Sequence, residues 1–129
     1  MTGNAYNPIP DDVRRFVLTS VPSVPFVEAA LLLRRQPGQA MGVAEVAAAL
    51  YIREQAAAEL LEGLCLAGAI ERENERYRFA PRDERLAGAW DRLAEAYSAN
   101  LIGVTNLIHD ATQKSAQRFA DAFKLRKDS

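Results

Sequence analysis

The chain has 129 residues, room for one ordinary core but not for two comfortable ones. Hydrophobic residues make up 49% and charged ones 26%, a composition that fits a globular fold and excludes general disorder. Sixteen Lys and Arg against seventeen Asp and Glu leave a formal net charge of -1, which counts against a strongly basic nucleic-acid binder without excluding a local basic patch.

No apolar run is long enough to cross a bilayer, and the longest, FVEAALLL, has Glu28 inside it. The first residues, MTGNAYNPIPDD, lack the basic and apolar regions of a signal peptide, so a cytoplasmic protein with no membrane contact is expected. Cys65 stands alone, which excludes an intrachain disulfide. One His and one Cys far apart give no metal-ligand spacing, and no metal or other cofactor is expected.

Residues 1–10, with two prolines, two asparagines and a glycine, read as a loose arm. PDDVRRFVLTSV has a Pro and two Asp ahead of an apolar stripe (Val13, Phe16, Val17), the pattern of a short helix. PSVPFVEAALLLRRQPGQ predicts a second helix: Ser23 can cap it, Pro25 suits its first turn, and QPG stops it. Its stripe is Phe26, Ala29, Ala30 and Leu33.

VAEVAAALYI and REQAAAELLEGLCLAGAIER predict two helices sharing a tight turn. Val43, Val46, Ala47 and Leu50 face inward from the first, Ile52 plugs the turn, and Ala57, Leu60, Leu61 and Leu64 continue from the second. Gly68 sits where a C-cap residue would end that helix. AIERENERYRFAP predicts a hairpin turning at Asn74, with Tyr77 and Phe79 alternating against Arg76 and Arg78. From Asp83 an apolar stripe (Leu86, Trp90, Leu93, Tyr97, Leu101, Val104, Ile108, Ala111, Ser115, Phe119) recurs every three or four positions. One continuous helix over 83–120 would be about 57 Å long, with Asn100 and Gly103 its weak points.

The residues 43–80, with the preceding helix, resemble the winged helix-turn-helix domain of bacterial one-component regulators of the MarR, PadR and ArsR kind. The carriers are EVAAALYI, AELLEGLCLAGAI and ERENERYRFAP. The expected fold is therefore mainly α: a winged helix-turn-helix over 11–82 with a small β-hairpin wing, then over 83–129 a long C-terminal dimerisation helix with a basic tail. The resemblance implies that the second helix of the pair is a recognition helix, which exposes Arg53, Glu54, Gln55, Ala58, Glu59 and Glu62. Arg53 and Gln55 suit base or phosphate contacts, and with Arg72, Arg76 and Arg78 of the wing they form the candidate DNA-binding set.

Charge argues the other way. Residues 43–70 hold one basic side chain (Arg53) against four acidic ones (Glu45, Glu54, Glu59, Glu62). With a two-residue turn at Asn74-Glu75, Glu73 would face Arg76 and Glu71 would face Arg78, an opposite-charge pattern that stabilises the hairpin by itself. A self-paired wing and a phosphate-gripping wing both fit the sequence.

Cys65 borders the apolar stripe with nothing basic within a turn, which fits a small core hydrophobe and not an oxidant sensor. His109 beside Asp110 has no partner set and reads as a boundary residue. The absence of a phosphate loop or a triad-like spacing argues against an enzyme. Trp90, Tyr97 and Phe119 could line a small-molecule pocket, pack on the core, or pack on a second copy. A stripe of that length must find a partner or fold back, and self-association through Leu86, Trp90, Leu93, Tyr97, Leu101, Val104 and Ile108 is expected. The stretch 111–129 holds five Lys or Arg against two Asp and reads as a charged end or a phosphate- or polymerase-contacting extension. The leading expectation is a homodimeric DNA-binding transcriptional regulator. The alternative is a winged-helix module that has lost DNA binding and meets a basic protein through Glu54, Glu59 and Glu62.

Overall fold

The computed structural model describes residues 8–128. Of the arm expected over 1–10, positions 1–7 lie outside the described residues. The fold is mainly helical, with one small antiparallel sheet. The order is α1 (Asp11–Ser20), α2 (Val24–Arg34), β1 (Met41–Gly42), α3 (Val43–Leu50), α4 (Glu54–Leu66), β2 (Ile70–Glu73), β3 (Arg76–Phe79), α5 (Glu84–Ala99) and α6 (Leu101–Asp128). Among the described residues no single helix is long and apolar enough to cross a membrane.

Ser23 starts α2 by accepting a hydrogen bond from the Phe26 amide at 3.3 Å. α2 is apolar nearly all round and forms the centre of the core, burying Phe26, Val27, Ala29, Ala30, Leu31 and Leu33. Glu28, half-buried within this run, accepts a hydrogen bond from the Tyr97 hydroxyl on α5. α1 packs across α5 through Phe16, whose ring meets Trp90 edge-on at 5.3 Å. Two ion pairs fasten α5 at its outer edge: Arg34–Asp91 at 2.9 Å and Arg92–Asp12 at 2.8 Å.

The turn between α3 and α4 is tight. Tyr51 takes the left-handed conformation, φ 58°, and the Ile52 amide reaches back to the Ala47 carbonyl at 3.0 Å. α4 ends at Gly68, φ 78°, where the Ala69 amide bonds the Leu64 carbonyl at 3.0 Å. The sheet order is β1-β3-β2, with Ile70 opposite Phe79, Glu71 opposite Arg78, Arg72 opposite Tyr77 and Glu73 opposite Arg76. That register is the one a two-residue turn at Asn74-Glu75 requires. Strand β1 was not expected; its two residues, Met41 and Gly42, pair with Tyr77 and Arg76 and are too few to show alternation in the sequence.

The helix expected over 83–120 is two helices. Asn100 (φ -146°, ψ 67°) closes α5 by donating its amide to Ala96 and opens α6 by taking the Gly103 amide on its side chain at 3.0 Å. A Cβ on Gly103 would stand 2.4 Å from the side-chain Nδ2 of Asn100, so this cap requires a glycine there. The chain turns back, and α6 packs against α5, α1 and α2.

The turn corrects the expected self-association surface. Trp90, Leu93, Val104 and Ile108 are fully buried in this chain's own core, and Leu86 and Tyr97 are half-buried against it. Leu101, the first residue of α6, is the one member of that set left exposed. The stripe is continuous in sequence because two helices packed on one core each carry an inward face. Buried residues on either side of position 82 belong to one cluster.

Candidate macromolecule-binding face

α4 and the hairpin present one outward surface. Along α4, Gln55, Glu59, Glu62 and Leu66 follow each other at intervals of four, three and four, which places them in one row. All four are exposed, Leu66 at 81%. Ala57, Leu61 and Leu64 occupy the opposite side and are buried. Tyr51 stands at the N-terminal end of α4 with 94% of its surface exposed, since its left-handed backbone turns the ring away from the core. The row is thus polar at Gln55, acidic at Glu59 and Glu62, and apolar at Leu66, with Tyr51 and Arg53 exposed just ahead of the helix.

The cations expected to grip DNA divide into two groups. Arg53, at the N-cap of α4, and Gln55, the second residue of the helix, are exposed, and their side chains make no hydrogen bond or ion pair among the described residues. The three wing arginines are all engaged. Arg76 donates to the Ala40 carbonyl at 2.7 Å and pairs with Glu45 at 2.8 Å. Arg78 lies 3.2 Å from Glu71 and 3.9 Å from Glu73. Arg72 donates to the Asn74 carbonyl at 2.8 Å and lies over the Tyr77 ring, 5.9 Å from its centre.

The sequence anticipated the facing of Glu71 and Arg78. It did not anticipate that Arg76 leaves Glu73 for Glu45 on α3. The signal for that pair lies in the third strand: β1 holds the start of α3 beside β3, and the Glu45 carboxylate then serves both Arg76 and the Gly42 amide, the latter at 2.8 Å. The Gly42 amide first, and Arg76 after it, hold the Glu45 carboxyl below its ordinary range.

Other residues singled out in the sequence fall elsewhere. Cys65 is half-buried on α4, and burial raises its thiol pKa, opposed by Arg72 and assisted by Glu62, which keeps it in the unreactive form. Trp90 is enclosed by Phe16 and Phe26, Tyr97 is tied to Glu28, and Phe119 lies well along α6 with 75% of its surface exposed. These three rings do not meet around one pocket. Comparison with family models, with curated proteins and with solved structures gives no match.

Proposed function

We propose that this chain is a winged helix-turn-helix binding module whose α4 face docks a basic protein surface. The order α2-β1-α3-α4-β2-β3 with sheet order β1-β3-β2 supports the winged-helix reading: α3 and α4 form the helix pair and β2–β3 the wing. The observation that carries the choice of partner is the outward row of α4, with Glu59 and Glu62 between the exposed Tyr51 and Leu66.

Magnitudes favour this over a phosphate backbone. The wing ion pairs are exposed, and each contributes only about 0–1 kcal/mol, so phosphates could replace those carboxylates. Glu59 and Glu62 are the greater obstacle. A carboxylate about 4 Å from a phosphate at a protein surface is repelled by about 4 kcal/mol, and the row presents two. A partner bearing Lys or Arg turns the same term into attraction, and Tyr51 and Leu66 supply the apolar anchors that protein interfaces favour.

The second reading, a DNA-binding transcriptional regulator, is favoured by Arg53 and Gln55, which stand unpartnered where a recognition helix begins. Titrating the protein into a labelled mixed-sequence DNA duplex at about 50 mM salt separates the two. The wild type is expected to show no saturable rise in anisotropy up to about 10 µM, while Glu59→Lys with Glu62→Lys binds. Saturable, salt-dependent binding by the wild type would give the DNA reading the lead.

A further inference from the structure

The row of α6 that seals the core does not stop where the core does. Val104 and Ile108 are fully buried, Ala111 is half-buried, and Thr112 donates to the Pro22 carbonyl at 2.9 Å. The same row continues at helical spacing through position 115 to Phe119 and Ala122, beyond the body of the fold. Every side chain described from Gln113 to Ala122 is exposed, and Phe119 is exposed at 75%. The row that is covered in the inner half of α6 thus ends in an exposed aromatic ring, Phe119.

Its chemistry is the inverse of the α4 face. Residues 113–128 carry five basic side chains (Lys114, Arg118, Lys124, Arg126, Lys127) against two acidic ones (Asp121, Asp128), and Asp121 accepts a hydrogen bond from Gln117 at 2.9 Å. The α3–α4 stretch 43–70 carries one basic residue against four acidic ones. The lengths also match: the sixteen residues after Thr112 span about 24 Å of helix and the thirteen of α4 about 20 Å. Each segment offers an exposed aromatic or aliphatic side chain near its charges: Phe119 on one, Tyr51 and Leu66 on the other.

We propose that the outer half of α6 docks on the α4 face of a second copy of this chain, reciprocally, so that two basic arms cover two acidic faces. Such an exchange is closed by two-fold symmetry, each copy giving an arm and receiving one. It rests on the reading of α4 as a protein-docking face, and it names that face's partner. Opposite charge draws arm to face and selects that pairing over arm-to-arm pairing, where like charges would meet, and Phe119 adds an apolar contact.

Light scattering on the whole chain and on two charge-reversed variants tests this. One variant reverses the face (Glu59→Lys with Glu62→Lys); the other reverses the arm (Lys114→Glu with Arg118→Glu). The wild type is expected at a two-chain mass in about 0.1 M salt and nearer the one-chain 14.2 kDa in about 1 M salt. Each variant alone should associate at least about tenfold more weakly. Mixed in equal amounts they should return to the two-chain mass, because each arm then meets a face of opposite sign. All four positions are exposed, so circular dichroism should show both variants folded. Variants that dimerise as well as the wild type, or a mixture that stays at the one-chain mass, would overturn the proposal. A monomeric wild type would overturn it too while leaving the α4 reading standing, since that reading depends on the duplex titration.

Discussion

Glu28 shows how a charge is kept inside an apolar helix. Its carboxylate sits half-buried among the core residues of α2 and is held by the Tyr97 phenol. Burial first, and then Glu28 by hydrogen bond and by charge, push the Tyr97 pKa up to about 12 from an ordinary 10. The folded state holds this proton more tightly than the unfolded chain. The contribution to stability is therefore complete below pH 10 and is lost as pH rises from 10 to about 12. Tyr97→Phe should cost about 1–3 kcal/mol at neutral pH, because it leaves the carboxylate without its donor. Urea unfolding would measure that loss. The gap between variant and wild type should shrink as pH rises from 10 to about 12, and a gap that stayed constant would mean the hydroxyl only fills space.

At the scale of elements, Asn100 and Gly103 act as one device. Asn100→Ala removes the α6 cap and should cost about 1 kcal/mol. Gly103→Ala alone sets two effects against each other: about 1 kcal/mol of helix propensity gained, and a cap displaced by a Cβ that would lie 2.4 Å from the Asn100 side chain. Its net effect should be near zero in the wild type and stabilising by about 1 kcal/mol once Asn100 is already Ala. Thermal melts of the two single variants and the double variant would expose this non-additivity; strict additivity would show that the cap is unimportant. The sequence marked both residues as weak points but could not say which way the chain turns. The apolar interval from Tyr97 through Leu101 to Val104 is the same for one long helix as for two that share a core. The α3–α4 pair, the Gly68 stop and a hairpin turning at Asn74 were legible because local spacing and backbone preference set them, while the hairpin register followed only for a two-residue turn. Strand β1 and the Arg76–Glu45 pair were not, since both depend on a loop bringing residues 41–45 beside residues 76–77. Of the candidate site, the acidic character of α4 could be read directly. The engagement of Arg72 by the Asn74 carbonyl and the Tyr77 ring required coordinates.

For the molecule as a whole, α5 and the inner half of α6 belong to the same core as α2. Ile108→Ala should therefore cost about 2–5 kcal/mol and lower the midpoint of a single cooperative transition followed by circular dichroism. If Ile108 instead lay between copies, the variant would change mass in light scattering before it changed its melting. The outer half of α6 is placed by different rules. Thr112 ties the helix to the Pro22 carbonyl, and about 24 Å of helix follows. Over that length a tilt of about 10° at the base moves the tip by about 4 Å and moves Phe119, seven residues on, by less than half as much. Leverage thus grades the arm. Close to the body, where an aromatic ring must meet its neighbour within about 4 Å, position is well defined. Farther out the sequence adds Lys124, Arg126 and Lys127, and charge acts over a screening length of about 10 Å, so attraction between charges tolerates displacement that a ring contact would not. One helix can in this way hold a short-range contact at its root and a forgiving long-range one at its end.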